Sequence, residues 1–113
     1  VNAGAVASYI SMIRPEKVTL VAMGYRARET AEEDMLCARY IKELLEGHEI
    51  DISKETEALR KGSGSRFFNP ANLDFSPPTD FFLSTDLNRF NFVLRAVITA
   101  GGYAEILRIS MNH

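Results

Sequence analysis

The sequence predicts an α/β fold: a layered mixed sheet with flanking helices and a C-terminal β-hairpin. A helical pattern opens the chain, the short apolar run Lys17–Met23 follows, and a second amphipathic helix comes next. This order of elements is typical of α/β architectures. Near the end, two runs rich in β-formers are separated by Gly101-Gly102, which favours a hairpin. We therefore expect one α/β domain over residues 1–113, of which 46% are hydrophobic.

The first predicted helix has Val6, Ile10 and Ile13 at spacings of four and three, which places them on one helical face. Asn2 is well placed to act as its N-cap. Pro15 should end it, because proline cannot continue the hydrogen-bonding pattern of a helix.

The run Lys17–Met23 is short, almost continuously apolar and contains β-branched residues. Between two helices, such a run predicts a buried strand of a parallel sheet. Gly24 follows directly and marks the expected turn from strand to helix. Ligands of α/β proteins usually bind at the carboxyl ends of strands, so this turn is a candidate site.

The second helix has the clearest sequence signals. Thr30 and Glu33 form a predicted capping box, and acidic residues up to Asp34 complement the positive end of the helix dipole. Gly47 fits the left-handed conformation that commonly ends a helix. An apolar stripe at helical spacing consists of Leu36, Cys37, Tyr40, Ile41, Leu44 and Leu45.

The middle of the chain is less regular. Residues 51–61 predict a weaker, mostly exposed helix, which Gly62–Arg66 breaks. The Gly-Ser stretch is either a flexible linker or a nest of backbone amides that binds an anion. A short helix is expected over residues 80–85. Three aromatic residues should fold back on the core or on a partner: Phe67, Phe68 and Phe75.

Two β-rich segments, Phe90–Thr99 and Tyr103–Ile109, close the chain around Ala100–Gly102. The turn is too short for a parallel crossover, so these strands must be antiparallel. Together with the parallel strand expected at Lys17–Met23, they make the predicted sheet mixed.

Composition narrows the function classes. The net charge of −2 and the pI near 5.7 argue against a general nucleic-acid binder. No apolar run approaches the roughly 20 residues needed to span a bilayer, and no signal peptide is visible. The single cysteine, Cys37, excludes an internal disulfide and is typical of a reduced thiol packed in a cytoplasmic protein. Neither His48 nor His113 has a partner at zinc-binding spacing.

Both ends of the chain carry a pattern that resembles the ComB family, the 2-phosphosulfolactate phosphatases. In the N-terminal part the pattern consists of Asn2, Ala5-Val6-Ala7, an apolar run ending at Gly24, Asp34 and Cys37. In the C-terminal part, Asp86–Phe90 followed by Phe92–Arg95 is similar to the segment that closes the family's fold. Residues 48–78 match poorly. Order and spacing carry the resemblance, since none of these motifs is diagnostic alone.

The resemblance implies a magnesium-dependent phosphatase that hydrolyses 2-phosphosulfolactate to sulfolactate and phosphate, a step of coenzyme M biosynthesis. Another small phosphomonoester is an alternative substrate, because homologues occur where that pathway is absent. Family chains are about twice as long, so the resemblance assigns this chain to the C-terminal half of a larger enzyme, inactive without its N-terminal half. The opening Val1, with a helix cap directly after it, also suggests an excised or processed chain.

The expected site lies at the start of the second helix. By resemblance, Asp34 is the catalytic carboxylate and the Mg²⁺ ligand, since Mg²⁺ prefers hard oxygen donors. Gly24, Arg26 and Arg28 are the expected substrate-binding residues, because glycine permits close backbone approach and guanidinium groups suit phosphate and sulfonate. The alternatives are an Asp34 that only complements the helix dipole and arginines that are merely solvated. The loop from Gly24 to Asp34 is one residue longer than the family pattern, and both arginines depart from it.

Two non-enzymatic functions compete with this interpretation. The chain can be an α/β assembly piece that forms a homo-oligomer through its Phe-rich loop and hairpin edge. It can also be a small-anion-binding module built on Gly62–Arg66. The phosphatase hypothesis predicts Mg²⁺-dependent turnover, whereas the assembly hypothesis predicts an oligomer without metal affinity.

Overall fold

Four α-helices and one antiparallel pair of strands form the regular structure of the part that a computed structural model describes, residues 1–24, 28–73 and 78–111. The helices are α1 (Ala3–Ile13), α2 (Glu32–Leu45), α3 (Ser53–Lys61) and α4 (Pro78–Thr85), and the strands are β1 (Phe92–Ile98) and β2 (Ala104–Ser110). Two short 3₁₀ helices, Ser63–Phe68 and Pro70–Asn72, connect α3 to the region before α4. The α/β class is thus confirmed in its coarse form.

The predicted C-terminal hairpin is confirmed. β1 and β2 pair antiparallel in an unbroken register that runs from Phe92 opposite Ser110 to Ile98 opposite Ala104. The amide of Thr99 donates to the carbonyl of Tyr103 and closes the turn. Gly102 has a φ of 83°, a left-handed conformation that glycine adopts at little cost.

Helix α1 is buried on two sides, by alanines rather than by its larger apolar residues. Ala3 and Ala7, one helical turn apart, lie in a cluster with Tyr40 and Ile41 of α2. Ala5 points the other way and packs with Val93 of β1 and Met111. Small side chains let neighbouring elements approach closely, so α1 lies between α2 and the hairpin.

The face predicted for α1 from Val6, Ile10 and Ile13 is therefore wrong in part, because Ile13 is 50% exposed. The helix ends as expected just before Pro15, and Arg14 adopts a left-handed conformation there. Asn2 occupies the N-cap position, but its side chain makes no capping bond and donates instead to the carbonyl of Phe92. It thus ties α1 to the hairpin.

Helix α2 ends as predicted and begins differently. Gly47 has a φ of 81°. Its amide donates to the carbonyl of Leu44, and the His48 amide donates to the carbonyl of Glu43. Together these features form a Schellman motif. The predicted capping box is wrong, because the helix begins at Glu32 and has Ala31 at its N-cap. Thr30 therefore lies outside the helix.

The buried parallel strand predicted at Lys17–Met23 is absent. This segment forms no strand pairing, and Val21 and Met23 are 72% and 65% exposed. An apolar run becomes a strand only where neighbouring strands accept its backbone hydrogen bonds, and the described residues offer none. The sheet they form is consequently the antiparallel pair alone, not a mixed sheet. Leu20 packs against the cluster shared by α1 and α2.

The Gly-Ser stretch is not a flexible linker. It enters the 3₁₀ helix Ser63–Phe68, and Gly64 is buried against α3 and α4. Phe67 and Phe68 fold back as predicted, with ring centroids 6.0 and 5.2 Å from that of Phe81. Phe75 lies outside the described residues.

Helices α3 and α4 confirm the two weaker helical predictions, and α4 begins two residues earlier than expected.

Within the described ranges, no helix combines the length and the apolar character needed to cross a bilayer.

Candidate functional site

A hydrogen bond joins the two most informative residues of the predicted site. The main-chain amide of Gly24 donates to Oδ2 of Asp34 over 2.7 Å, and the contact is partly buried. Asp34 belongs to the first turn of α2, where negative charge is favoured by the helix dipole. The bond holds the end of the extended segment against the beginning of the helix.

Asp34 lines a groove of about 210 Å³ between the extended segment and α2. One wall consists of residues 20–23, and the other consists of one face of α2, with Asp34, Cys37, Ala38 and Ile41 at helical spacing. Among these lining residues, Asp34 carries the only charge. The groove is thus apolar along its length with one carboxylate at the helix start.

Gly24 has a backbone conformation that requires glycine. Its φ is 72°, and a Cβ atom added there would lie 2.0 Å from the carbonyl oxygen of Glu29. The sharp turn predicted at this position is therefore real, although it follows an unpaired segment rather than a strand. Its amide already bonds to Asp34, so its contribution to the site is made through the backbone.

Arg28 lies in a second depression next to the Asp34 groove. Glu29 also lines this depression. Ala22 and Met23 line both the groove that contains Asp34 and the depression that contains Arg28. Arg28 is exposed, as a residue that meets an incoming anion must be. Arg26, the other predicted arginine, lies outside the described residues.

The donor set at this site fits a magnesium ion only in part. Oδ2 of Asp34 accepts the Gly24 amide, while Oδ1 accepts no hydrogen bond from the described residues. Magnesium sites commonly use one or two carboxylates together with water and substrate phosphate oxygens. Among the described residues that line the groove, Asp34 supplies one carboxylate. The other lining side chains are apolar and supply no second oxygen ligand.

Cys37 faces the same groove but is poorly suited to act as a nucleophile. The residue is exposed, yet burial around its sulfur raises the pKa of the thiol, and the nearby Asp34 carboxylate raises it further. The amino group of Val1 opposes these effects without reversing them. Because the thiolate is the reactive form, the environment keeps Cys37 in its less reactive state.

A second group of polar side chains meets at the other end of α2. Glu43, Glu46 and His48 bring their ligand atoms within 4.8 Å of one another. His48 was expected to be isolated and to have no role, because no zinc-binding spacing was seen around it. The spacing Glu-x-x-Glu-x-His across a helix end is a signal that would have identified the group.

Comparison of the chain with protein-family models, curated proteins and solved structures gives no match.

Proposed function

We propose that the chain is the C-terminal half of a cytoplasmic, magnesium-dependent phosphatase of the ComB type. Its substrate would be 2-phosphosulfolactate or a similar small phosphomonoester, and its products an alcohol such as sulfolactate and inorganic phosphate. The observation that carries the proposal is the bond between Gly24 and Asp34, which supports a fixed carboxylate in an open groove.

In this proposal Asp34 holds the metal through Oδ1, while the Gly24 amide fixes the orientation of the carboxylate through Oδ2. A carboxylate with a fixed rotamer loses little further conformational freedom on binding a cation, which favours affinity. When bound, Mg²⁺ would polarise the phosphoryl oxygens and stabilise the charge that develops during in-line attack by water.

The anionic end of the substrate is assigned to the arginines. Arg28 is exposed in the depression that adjoins the Asp34 groove, and a guanidinium group can bond a phosphate or sulfonate through two parallel N–H groups. Arg26, two positions earlier in the sequence, is proposed for the same role. Gly24 contributes by holding the end of the extended segment against the first turn of α2.

The remaining ligands are proposed to come from the N-terminal half of the enzyme. Val21 and Met23 present exposed apolar side chains on a segment that forms no strand pairing with the described residues, a surface suited to strand addition. Pairing there would convert residues 17–23 into a strand and would generate the layered mixed sheet of the ComB-like fold. Such pairing would also bring further acidic residues to the groove.

The test is phosphate release from 2-phosphosulfolactate by the full-length protein, with and without Mg²⁺. We expect metal-dependent turnover that Asp34→Asn lowers by at least about a hundredfold, since a neutral amide holds Mg²⁺ poorly. Glu32→Gln is the matched control, because it removes an exposed carboxylate from the same helical turn. Normal turnover by Asp34→Asn would remove the assignment of the site.

A second candidate function, assembly without catalysis, is favoured by one face of the hairpin. Leu94 and Ile98 of β1 and Ile106 of β2 share that face and are more than half exposed. A second copy of the chain could cover this face. Sedimentation velocity over a range of concentrations tests the idea, and a monomer at all of them would refute it.

A further inference from the structure

The group at the C-terminal end of α2 has the geometry of a metal-binding site. His48 Nδ1 lies 2.7 Å from Oε2 of Glu43 and 3.9 Å from Oε2 of Glu46. Each residue offers one ligand atom, and all these atoms lie within 4.8 Å of one another. We infer that Glu43, Glu46 and His48 form a three-ligand site for a divalent transition-metal ion such as Zn²⁺.

The distances suit such an ion. Bonds of about 2.0–2.2 Å from Zn²⁺ to nitrogen and oxygen place tetrahedral ligands about 3.4 Å apart. The distances from His48 Nδ1 to the two carboxylate oxygens, 2.7 and 3.9 Å, lie on either side of that value. A fourth position, on the solvent side, would be open to water.

The backbone that carries the three ligands is held in place. Glu43 and Glu46 are three residues apart, so they lie on the same side of the helix end. The Schellman motif fixes the turn that follows, through bonds from the Gly47 amide to Leu44 and from the His48 amide to Glu43. These main-chain hydrogen bonds hold His48 next to the last turn of α2.

The electrostatic setting also favours a cation. The carboxyl end of a helix carries partial negative charge, to which Glu43 and Glu46 add two carboxylates. The site is distinct from the Asp34 groove, which lies at the opposite end of the same helix. Without metal, the short contact between His48 and Glu43 is an ordinary hydrogen bond that keeps the imidazole in position.

The chemistry of the donors selects the class of ion. One imidazole nitrogen with two carboxylate oxygens suits Zn²⁺, Co²⁺ or Ni²⁺, whereas Mg²⁺ prefers a shell made of oxygen atoms. The site is thus expected to discriminate against the cation proposed for Asp34.

The experiment is calorimetric titration of the chain with Zn²⁺, then with Co²⁺ and Mg²⁺. The background carries Cys37→Ser and His113→Ala, which remove the thiol and the second of the two histidines. We expect one Zn²⁺ per chain, weak Mg²⁺ binding, and a visible Co²⁺ absorption band. Each single substitution of a ligand should weaken Zn²⁺ binding by at least about tenfold: His48→Ala, Glu43→Gln and Glu46→Gln. A loss of this size is already typical when a residue that only hydrogen-bonds to a metal ligand is removed.

Glu49→Gln is the matched control, since it removes an exposed carboxylate next to the cluster and should leave Zn²⁺ affinity unchanged. Circular dichroism checks that each variant keeps its helices. If a variant at position 48 loses helix content, the two glutamine variants decide the question. Absence of stoichiometric Zn²⁺ binding, or equal affinity in the ligand and control variants, would overturn the inference. Asp34→Asn should not alter Zn²⁺ binding, which separates this result from the phosphatase proposal.

Discussion

The amide of Gly24 and the carboxylate of Asp34 meet at 2.7 Å, across ten positions of the sequence. This contact joins the end of the extended segment to the first turn of α2. It depends on a left-handed turn at Gly24, which brings the chain within contact of Glu29 before the helix begins. The geometry of the proposed site therefore depends on one backbone conformation.

Substitution of Gly24 by alanine should destabilise the protein. The new Cβ would lie 2.0 Å from the Glu29 oxygen at a φ of 72°, so both steric overlap and backbone strain are introduced. We expect a loss of about 2 kcal/mol or more in the free energy of unfolding, measured with urea. Gly47→Ala is the control, because its φ is 81° but the space around it is open, and it should cost only about 1 kcal/mol. Equal losses for the two variants would contradict the crowding at Gly24.

Gly64→Ala should also be destabilising, for a reason that does not involve φ. Its Cβ would lie 2.5 Å from the Leu59 carbonyl oxygen and 2.6 Å from the ring of Phe81, in a buried position. Overpacking of this kind costs about 1–3 kcal/mol, measurable as a lower denaturant midpoint. Gly101→Ala provides a comparison, since its nearest neighbour is the exposed ring of Tyr103, which can rotate away. A midpoint for Gly64→Ala at or above that of Gly101→Ala would count against close packing around Gly64.

The reactivity of Cys37 should report on Asp34. Burial raises the pKa of the thiol, the amino group of Val1 opposes this effect in part, and the Asp34 carboxylate raises the pKa further. Less thiolate is therefore present at a given pH than in an unfolded peptide. Alkylation by iodoacetamide should accordingly begin at higher pH in the folded protein. Asp34→Asn removes one of the two effects that raise this pKa and should move the pH profile of alkylation to lower pH. Glu32→Gln should leave that profile unchanged. A profile identical to that of a short cysteine peptide would argue against this environment.

Asp51 should titrate below its ordinary range because it accepts bonds from Ser53. The Ser53 hydroxyl, at 2.6 Å, and then the Ser53 amide, at 2.9 Å, lower the pKa of this carboxyl. A lowered pKa means that the contribution to stability is present above the unfolded value of 3.8 and is lost as pH falls through the folded pKa. Ser53→Ala should raise the pKa of Asp51 toward 3.8, as followed by NMR titration of the carboxyl carbon. An unchanged titration would show that the hydroxyl does not bond to Asp51 in solution.

Features that depend on a few neighbouring residues were predictable. The hairpin followed from two β-rich runs around Gly101-Gly102, because both strands and their turn are adjacent in the chain. The end of α2 followed from Gly47, whose left-handed conformation needs no distant partner. The position of Asp34 in the first turn of α2 was likewise visible, although the helix begins at Glu32 without the expected capping box.

That Lys17–Met23 forms no strand was not predictable from its own residues. An apolar run has the same appearance whether it enters a sheet or lies along a helix, and the difference is the presence of a strand beside it. The alanines of α1 were missed for a related reason. Ala3, Ala5 and Ala7 add little to a hydrophobic pattern, yet they are the residues that allow α2 and β1 to approach.

What the sequence determined by itself is the set of local elements: helices, the hairpin, the glycine turns and an acidic helix start. Backbone preferences and hydrogen bonds within a few residues are enough for these. Which faces are buried, and that Gly24 meets Asp34, was decided by the tertiary structure. The tertiary structure also decided the contacts of Asn88, whose side-chain amide donates to the Tyr40 hydroxyl and accepts from the Gly4 amide. Burial and long-range bonds depend on surfaces that become neighbours only when the whole chain has folded.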